Sequence, residues 1–498
     1  MKVHSLVQWG LGFRKIEVEV NLAPGLPTMQ ILGQPDKVIK ESAWRIRSAF
    51  DRQGFQWPTS RQILVNLKPS HIKKVGSGLD LAIASALLWE TGQVPVPEEA
   101  VPLLYGELSL TGDVSCPPHF VDYQSETKKE YIYTGKTEQK FPFGSLQISQ
   151  LSDLGNPLRQ DADWSSLVVD RPEHGEWKFS RELAKIIAIV AHGEHSALFA
   201  GPAGTGKTTV AHAIWSLLQE PAKKDVLLLR QIARRFGQTL SWRPFVNPHH
   251  SMPQLSLIGG GNSPRPGEIT RAHGGVLLFD ELLEFQPKVL ESLREPMESG
   301  MVSISRGSEV EVYPSQFLFL ATTNLCRCGE FVPDRWNRCR CTDRSRMQYQ
   351  EKLSGPILDR ISVKVLSHEW QQGPQEILSK DILKRLEKSR AFILESRAQV
   401  RRNSSLSLQD LEPMLTKSSL FGVKNGVIGS HRRYLQWLQV ARSVADLESS
   451  LMIEPHHLEE ARKLGSLELH RPLCQPPIKP VRKKTKTSSE LTQSTDSV

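Results

Sequence analysis

The sequence predicts an α/β protein in three globular parts: an α/β domain over residues 1–160, a parallel-sheet core over 161–370 and a helical domain over 371–470. Three observations lead there. The chain has 498 residues, which at about 150 residues per domain gives about three domains, each able to bury a core. From Ala197 to Val365 apolar strand-like runs alternate with helical patterns, the order that parallel strands joined by crossover helices require. Beyond Gln371 the apolar spacing becomes that of helices.

Taken in order, KIEVEV at 15–20 alternates apolar and charged side chains as a half-buried strand does, and RQILVNL at 61–67 reads as another. Between them Asp36 can cap a helix running to Gln53, with Gly54 placed to stop it. Another helix follows Asp80. From Pro117 to Asp163 the chain reads as polar and irregular, with SETKKE at its centre, and a domain boundary is expected near 160. A helical pattern resumes over Arg181 to Ala191, and further helices are expected at 380–398, 430–448 and 455–466. The last segment, 471–498, is rich in Pro, Lys, Ser and Thr. With few large apolar groups it cannot offset the entropy of ordering, so a disordered basic tail is expected.

Composition excludes several classes. Hydrophobic residues at 39% and charged residues at 23% are ordinary globular usage, unlike a collagen-like, wholly disordered or disulfide-scaffold chain. The formal charge of +9 favours polyanionic partners such as nucleic acid or acidic lipid without choosing between them. No leader-length apolar run precedes Arg14 and Lys15, and no window has the apolar length of a spanning helix, so a soluble cytoplasmic protein is expected. Cys326, Cys328, Cys339 and Cys341 cluster while Cys116 and Cys474 stand alone. In a cytoplasmic chain that clustering points to metal before disulfide.

The strongest motif is GPAGTGKT, made of Gly201, Pro202, Ala203, Gly204, Thr205, Gly206, Lys207 and Thr208, with Thr209 following. It fits GxxxxGKS/T between an apolar strand and a helical pattern, the context that a phosphate-cradling loop needs. Backbone N–H groups and a helix N-terminus would take the ATP phosphates, Lys207 would add charge, and Thr208 a hydroxyl for Mg²⁺. GVLLFDE would deliver Asp280 to Mg²⁺ and set Glu281 beside it to polarise a water, which favours hydrolysis; an acidic pair capping a helix from Leu282 is the alternative. The strand QFLFLATTN ends at Asn324, whose amide would hold that water or sense the γ-phosphate, unless it is simply a turn residue. Arg360 in LSGPILDRI and Arg432 in SHRRYLQ are of the type that stabilises a transferring phosphoryl group, with surface ion pairs as the ordinary reading.

The run HHSMPQLSLIGGGNSPRPGEITRAHGGVLLFDELLEFQPKVLESLREPMESGMVSISRG resembles the magnesium-chelatase-like AAA+ family, and within it the ComM/YifB family of competence proteins. VEVNLAPGLPTMQILGQPDKVIKESAWRIRSAF and ILVNLKPSHIKKVGSGLDLAIASALL are similar to its Lon-protease-like N-terminal domain, and SGPILDRI and VARSVADL match further on. The resemblance spans most of 1–466 and is weakest at 115–165 and 370–425. It implies an AAA+ P-loop core with a C-terminal helical lid, assembled as a homo-hexamer that binds ATP and acts on single-stranded or branched DNA. Members promote branch migration during recombination in natural transformation, alongside recombination proteins and away from membranes. By the same resemblance Lys207 and Thr208 match Walker A, Asp280 and Glu281 Walker B, and Asn324 sensor 1. Arg360 matches the arginine finger that reaches a neighbour's ATP, and Arg432 sensor 2 on the lid. LIGGGNSPRPGE at 257–268 and MVSISRGSEVEVY at 301–313, with Arg265 and Arg306, become candidates for gripping a phosphate backbone, with subunit packing as the alternative.

The four clustered cysteines, CRC then ten residues then CRC, can form a tetrahedral thiolate zinc site; unliganded thiols and a redox role remain alternatives. An active Lon-type site needs a Ser nucleophile with a Lys, yet in KKVGSGLD the matching place is Gly78 and Ser77 is one residue early. No protease is expected, and the domain reads as an assembly or DNA-engaging module. The chain also departs from the family at Ser362, Leu325 and Gln436, where Asp, Pro and Arg are usual. A rival function is a chelatase-type ATPase that remodels a protein partner. A degenerate ATPase scaffold is disfavoured by the intact Lys207, Asp280 and Glu281. Arg482, Lys483, Lys484 and Lys486 in the tail would either add non-specific DNA affinity or only keep the chain soluble.

Overall fold

The computed structural model describes residues 1–97, 101–123, 131–165, 167–173, 177–261, 265–306, 309–332, 339–352, 355–367, 374, 376–419 and 430–465. The expected tail at 471–498, with Arg482, Lys483, Lys484, Lys486 and Cys474, lies outside the described residues. Alternating apolar residues in Lys2–Trp9, Gly12–Pro24 and Arg61–Lys68 bring Val3, Val18 and Leu67 into register on one buried face. These strands belong to an eight-stranded mixed sheet ordered Leu158–Gln160, Gly144–Ile148, Tyr131–Gly135, Leu103–Leu104, Lys2–Trp9, Gly12–Pro24, Arg61–Lys68, Met29–Leu32.

Two helices cover that sheet. Lys37–Gln53 starts where Asp36 accepts from the Ile39 N–H at 2.8 Å and stops at Gly54. Asp80–Glu90, DLAIASALLWE, is apolar almost all round and is accordingly buried nearly throughout. Its first residue, Asp80, is paired with Arg45 at 2.7 Å.

Of the irregular segment expected over 117–163, SETKKE lies outside the described residues, whereas Tyr131–Gly135, Gly144–Ile148 and Leu158–Gln160 form strands that extend the sheet. These strands are too short to display a period, and their pairing partners decide them. Phe120, Phe141 and Phe143 from the same stretch pack with Tyr105 in a separate aromatic cluster.

Five parallel strands form the second sheet, in the order Phe245–Val246, Val276–Phe279, Leu318–Thr323, Ala197–Ala200, Val363–Leu366. Ala197–Ala200, Val276–Phe279 and Leu318–Thr323 are buried at every position, as a parallel sheet covered on both faces demands. Alternate residues serve opposite faces: Phe199 and Leu278 join one cluster, Leu198 and Phe279 the other. The first cluster also takes Ile382, Leu386, Leu438 and Val444 from the C-terminal helices. Ser379–Arg397 and His431–Leu447 therefore share one core with the sheet, and Pro455–Gly465 packs beside them.

Two buried carboxylates tie these parts together. Asp446 holds Arg397 at 2.8 and 2.9 Å, the Arg442 Nε at 3.0 Å and the Asn403 amide at 2.7 Å. Glu194, just past the helix Arg181–Gly193, takes Arg243 through both its oxygens at 2.7 Å and Arg402 at 3.0 Å. The first domain contacts the core where Arg234 pairs with Asp122 at 3.0 Å and the Gln231 amide donates to the Asp122 carbonyl at 2.7 Å. Among the described residues no helix is long and apolar enough to cross a membrane.

Burial pushes the Glu194 carboxyl up, but Arg243 and Arg402 outweigh it and hold the group at about 2, against an ordinary 4.5. A depressed carboxylate stabilises the fold above its unfolded pKa, and that contribution is lost as pH falls through the folded one. Glu194→Gln should therefore cost on the order of 3 kcal/mol at neutral pH. The gap in thermal midpoint between wild type and variant should narrow as pH falls from about 5 towards 2; a gap independent of pH would contradict the ion-pair account.

Candidate nucleotide site

The buried strand Ala197–Ala200 ends at Gly201, whose N–H donates to the Thr323 carbonyl on the neighbouring strand at 3.0 Å. Gly201 has φ +152, and a Cβ there would lie 2.0 Å from the Ser367 Oγ. Only glycine suits that position. The Thr205 hydroxyl lies 3.0 Å from both the Pro202 carbonyl and the Ser367 hydroxyl, so the end of Val363–Leu366 braces the loop. The helix Lys207–Ser216 opens from left-handed Gly206 with no side-chain cap. Its first N–H groups are thus left for an anion, with the positive end of the helix dipole behind them.

Lys207 is buried, and its Nζ donates to the carbonyls of Gly201 at 3.0 Å and Pro202 at 2.7 Å and to the Asn324 Oδ1 at 3.2 Å. Burial lowers its pKa, while Asp280 and Glu281 oppose that shift. The Thr208 hydroxyl lies 3.3 Å from both Asp280 oxygens. Hydroxyl and carboxylate form the hard-oxygen donor set that suits Mg²⁺, so the residues present fit that ion. Thr209 follows on the same helix and is exposed.

Asp280 also accepts from the Thr322 hydroxyl, which in turn receives the Glu281 N–H at 3.1 Å. Glu281 sits on left-handed backbone, φ 57, and its exposed side chain makes no cap bond to the short turn Leu282–Glu284. The helix-capping alternative is therefore not what the structure uses. Strain of this kind gathers at functional sites. Thr322 and Ser367 had no signal of their own in the sequence; adjacency across the sheet brings them in.

The four clustered cysteines follow directly on Asn324. Cys326 and Cys328 sulfurs are 3.2 Å apart, and Cys339 lies 3.6 Å from each. All four ligand atoms, including that of Cys341, lie within 4.8 Å of one another. A tetrahedral zinc with Zn–S of about 2.3 Å would set its sulfurs about 3.8 Å apart, so the donor set fits zinc. Between the pairs, the Gly329 carbonyl accepts the Ala203 N–H at 2.9 Å. The cysteine knuckle thereby touches the phosphate loop, a link that the spacing of the motifs does not reveal.

A second cluster of Glu448, His456 and His457 fits a metal poorly. The His457 Nδ1 accepts from the Glu454 N–H at 3.0 Å, so its Nε2 keeps the proton that it presents to Glu448 at 3.1 Å.

Arg360 and Arg432 do not join the loop. Arg360 donates to the Pro356 carbonyl and to Glu298, each at 2.7 Å, and Arg432 pairs with the same Glu298. The Arg360 carbonyl is bound by the hydroxyl of Ser196, one residue before Ala197–Ala200, whereas the phosphate loop leaves the other end of that strand. The two ends are about 13 Å apart at 3.3 Å per residue.

The two other candidate stretches are hairpins. Gly259–Gly260 pairs with Arg265–Pro266, of which Arg265 is exposed, and Met301–Arg306 with Glu309–Pro314. The hairpins adjoin, since a Cβ on Gly259 would lie 2.8 Å from the Ile304 Cδ1; the side chain of Arg306 lies outside the described residues. In the first domain the Ser77 hydroxyl donates to Glu107, and the buried Lys74 Nζ is engaged with the carbonyls of Gly33, Leu67 and Pro69. Neither is arranged as a Ser–Lys pair.

A family model described as magnesium chelatase, subunit ChlI, matches residues 178–374, and one described as subunit ChlI of Mg-chelatase matches 18–132. The chain is 31% identical over 511 residues to the uncharacterized protein YifB of Escherichia coli, covering 94% of this chain and 98% of that one. It is 30% identical over 496 residues to the competence protein ComM of Haemophilus influenzae, covering 92% of this chain and 96% of that one.

Gly201→Ala should force the loop off Ser367 and weaken binding of a fluorescent ATP analogue by about tenfold or more; unchanged affinity would mean that the loop is looser than its contacts suggest. Protein purified without chelator should carry about one zinc per chain by metal analysis, and less than about 0.2 would leave the cysteines as free thiols.

Proposed function

The chain belongs to the ComM/YifB family of magnesium-chelatase-like proteins, and we propose that it is an ATP-hydrolysing AAA+ ring motor acting on DNA. Its closest functional description would be a ComM-like helicase that promotes branch migration as incoming DNA is recombined in natural transformation. The observation that carries the ATPase reading is the convergence of Lys207, Thr208, Asp280 and Asn324 at one end of the parallel sheet. An uncapped helix start, a buried lysine and an acidic strand end at one point suit a nucleoside triphosphate with its Mg²⁺.

In this reading the backbone of Gly201–Thr208 binds the ATP phosphates, and Lys207 exchanges its carbonyl partners for phosphate oxygens. Thr208 and Asp280 would hold Mg²⁺, which supplies positive charge across the phosphates when bound. Glu281 accepts a proton from the attacking water, and Asn324 orients that water from the next strand. Arg360 and Arg432 serve a second copy's nucleotide, because each is turned away from its own loop towards Glu298. That division requires assembly, and a homo-hexameric ring in the cytoplasm meets it. The cysteine knuckle, with zinc bound, would keep Gly329 against Ala203 and so steady the loop.

The formal charge of +9, the adjoining hairpins and the kinship with a competence protein support DNA as the polymer gripped. The hairpins themselves are mixed in charge: Glu309 and Glu311 accompany Arg306, and the Glu311 carboxylate accepts from the Tyr313 hydroxyl. The grip therefore depends on backbone and exposed Arg265 more than on a dense basic patch.

ATP turnover should rise on adding single-stranded or forked DNA and vanish in Lys207→Ala. Arg360→Ala should lower turnover by about 10³-fold while leaving ATP binding intact. Hydrolysis indifferent to every DNA would instead favour a chelatase-type motor that remodels a protein partner.

A further inference from the structure

Glu298 is a single carboxylate shared by two guanidinium groups. Arg360 reaches its Oε1 at 2.7 Å and Arg432 pairs with the same oxygen, with exposures of 12%, 42% and, for the glutamate, 41%. Arg360 is further fixed by the Pro356 carbonyl, while its Nε is buried without a hydrogen bond. Close by, Arg433 from the same helix as Arg432 donates to Asp359, at 3.0 Å from its Nε, so the helical lid and the segment carrying Arg360 are joined twice. Two guanidiniums brought to one point repel, and the carboxylate they share offsets that repulsion.

The position of Glu298 in the chain adds a second property. It is the penultimate residue of the helix Arg294–Ser299, which runs directly into the hairpin Met301–Arg306 and Glu309–Pro314. The hairpin is pinned at this root: the Met301 N–H donates to the Ser299 hydroxyl at 3.1 Å, and the Ser315 N–H to the Gly300 carbonyl at 2.8 Å. Glu298 thus stands three positions before the hairpin's first strand, beside this pinned root.

We propose that Glu298 is a positioning residue that presents Arg360 and Arg432 as a pair to a second copy of this chain and transmits contact at the hairpin to them. The inference rests on the ATPase and DNA reading above and assigns its coupling element. When the hairpin is loaded, Glu298 shifts, and the two arginines are set for the phosphate charge on the adjoining subunit. A merely structural surface pair would be worth about 0–1 kcal/mol and would leave turnover untouched.

The full chain should be compared with Glu298→Gln and Glu298→Asp for ATP turnover with and without single-stranded DNA, for binding of a fluorescent ATP analogue and for thermal midpoint. Glu298→Gln should lower kcat by about tenfold, keep KM and analogue binding within about twofold, and abolish the response to DNA. Glu298→Asp, which keeps the charge, should recover part of both. Wild-type kcat and DNA response in Glu298→Gln would overturn the proposal, as would a loss of activity that merely follows a fallen thermal midpoint and lost analogue binding. If wild-type turnover ignores DNA, the DNA reading and the hairpin coupling both fail. The kcat and binding values of Glu298→Gln then judge the arginine pairing alone.

Discussion

The parallel pairing of Ala197–Ala200 between Leu318–Thr323 and Val363–Leu366 is the constraint on which the rest of the core depends. One end of this three-strand unit sends out the phosphate loop, Thr322 with Asn324, and Ser367. The other end carries Ser196, bonded to the Arg360 carbonyl. Because every residue of the central strand is buried, a slip of one residue would send each side chain into the opposite core cluster. The same pairing therefore gathers the loop and the acidic strand end and holds Arg360 away from them.

Charge is buried elsewhere in this protein where one part must be held to another. Glu194 binds Arg243 and Arg402, and Asp446 binds Arg397 and Arg442, at the seam between the sheet and the C-terminal helices. Each carboxylate faces more than one guanidinium, which makes removal of the acid costlier than loss of a single pair. Such networks specify one docking angle, whereas the apolar cluster shared by Ile187, Leu386 and Val444 would tolerate several.

Around the nucleotide site the chain fills its own anion cradle with Lys207, held by two carbonyls and Asn324. The cysteine knuckle adds a brace from outside the sheet through Gly329 and Ala203. Glycine at 201 and left-handed Glu281 are the two places where local strain is accepted to bring backbone and carboxylate into position.

Local signals were legible in the residues themselves. The helix bounded by Asp36 and Gly54, the strands that alternate or run wholly apolar, and GPAGTGKT between strand and helix each depend on neighbours a few positions away. The family membership could likewise be read from contiguous motifs. The short strands at 131–160 could not, because their pairing partners lie far along the chain. Nor could the roles of Ser367 and Gly329 as contacts of the loop, that of Thr322 as a partner of Asp280, or the meeting of Arg360 and Arg432 on Glu298. Short-range propensity and periodicity write secondary structure and motifs into the order of residues. Which carboxylate an arginine finds, and which carbonyl braces a loop, follows from how the sheet brings distant segments together, and only the folded chain decides that.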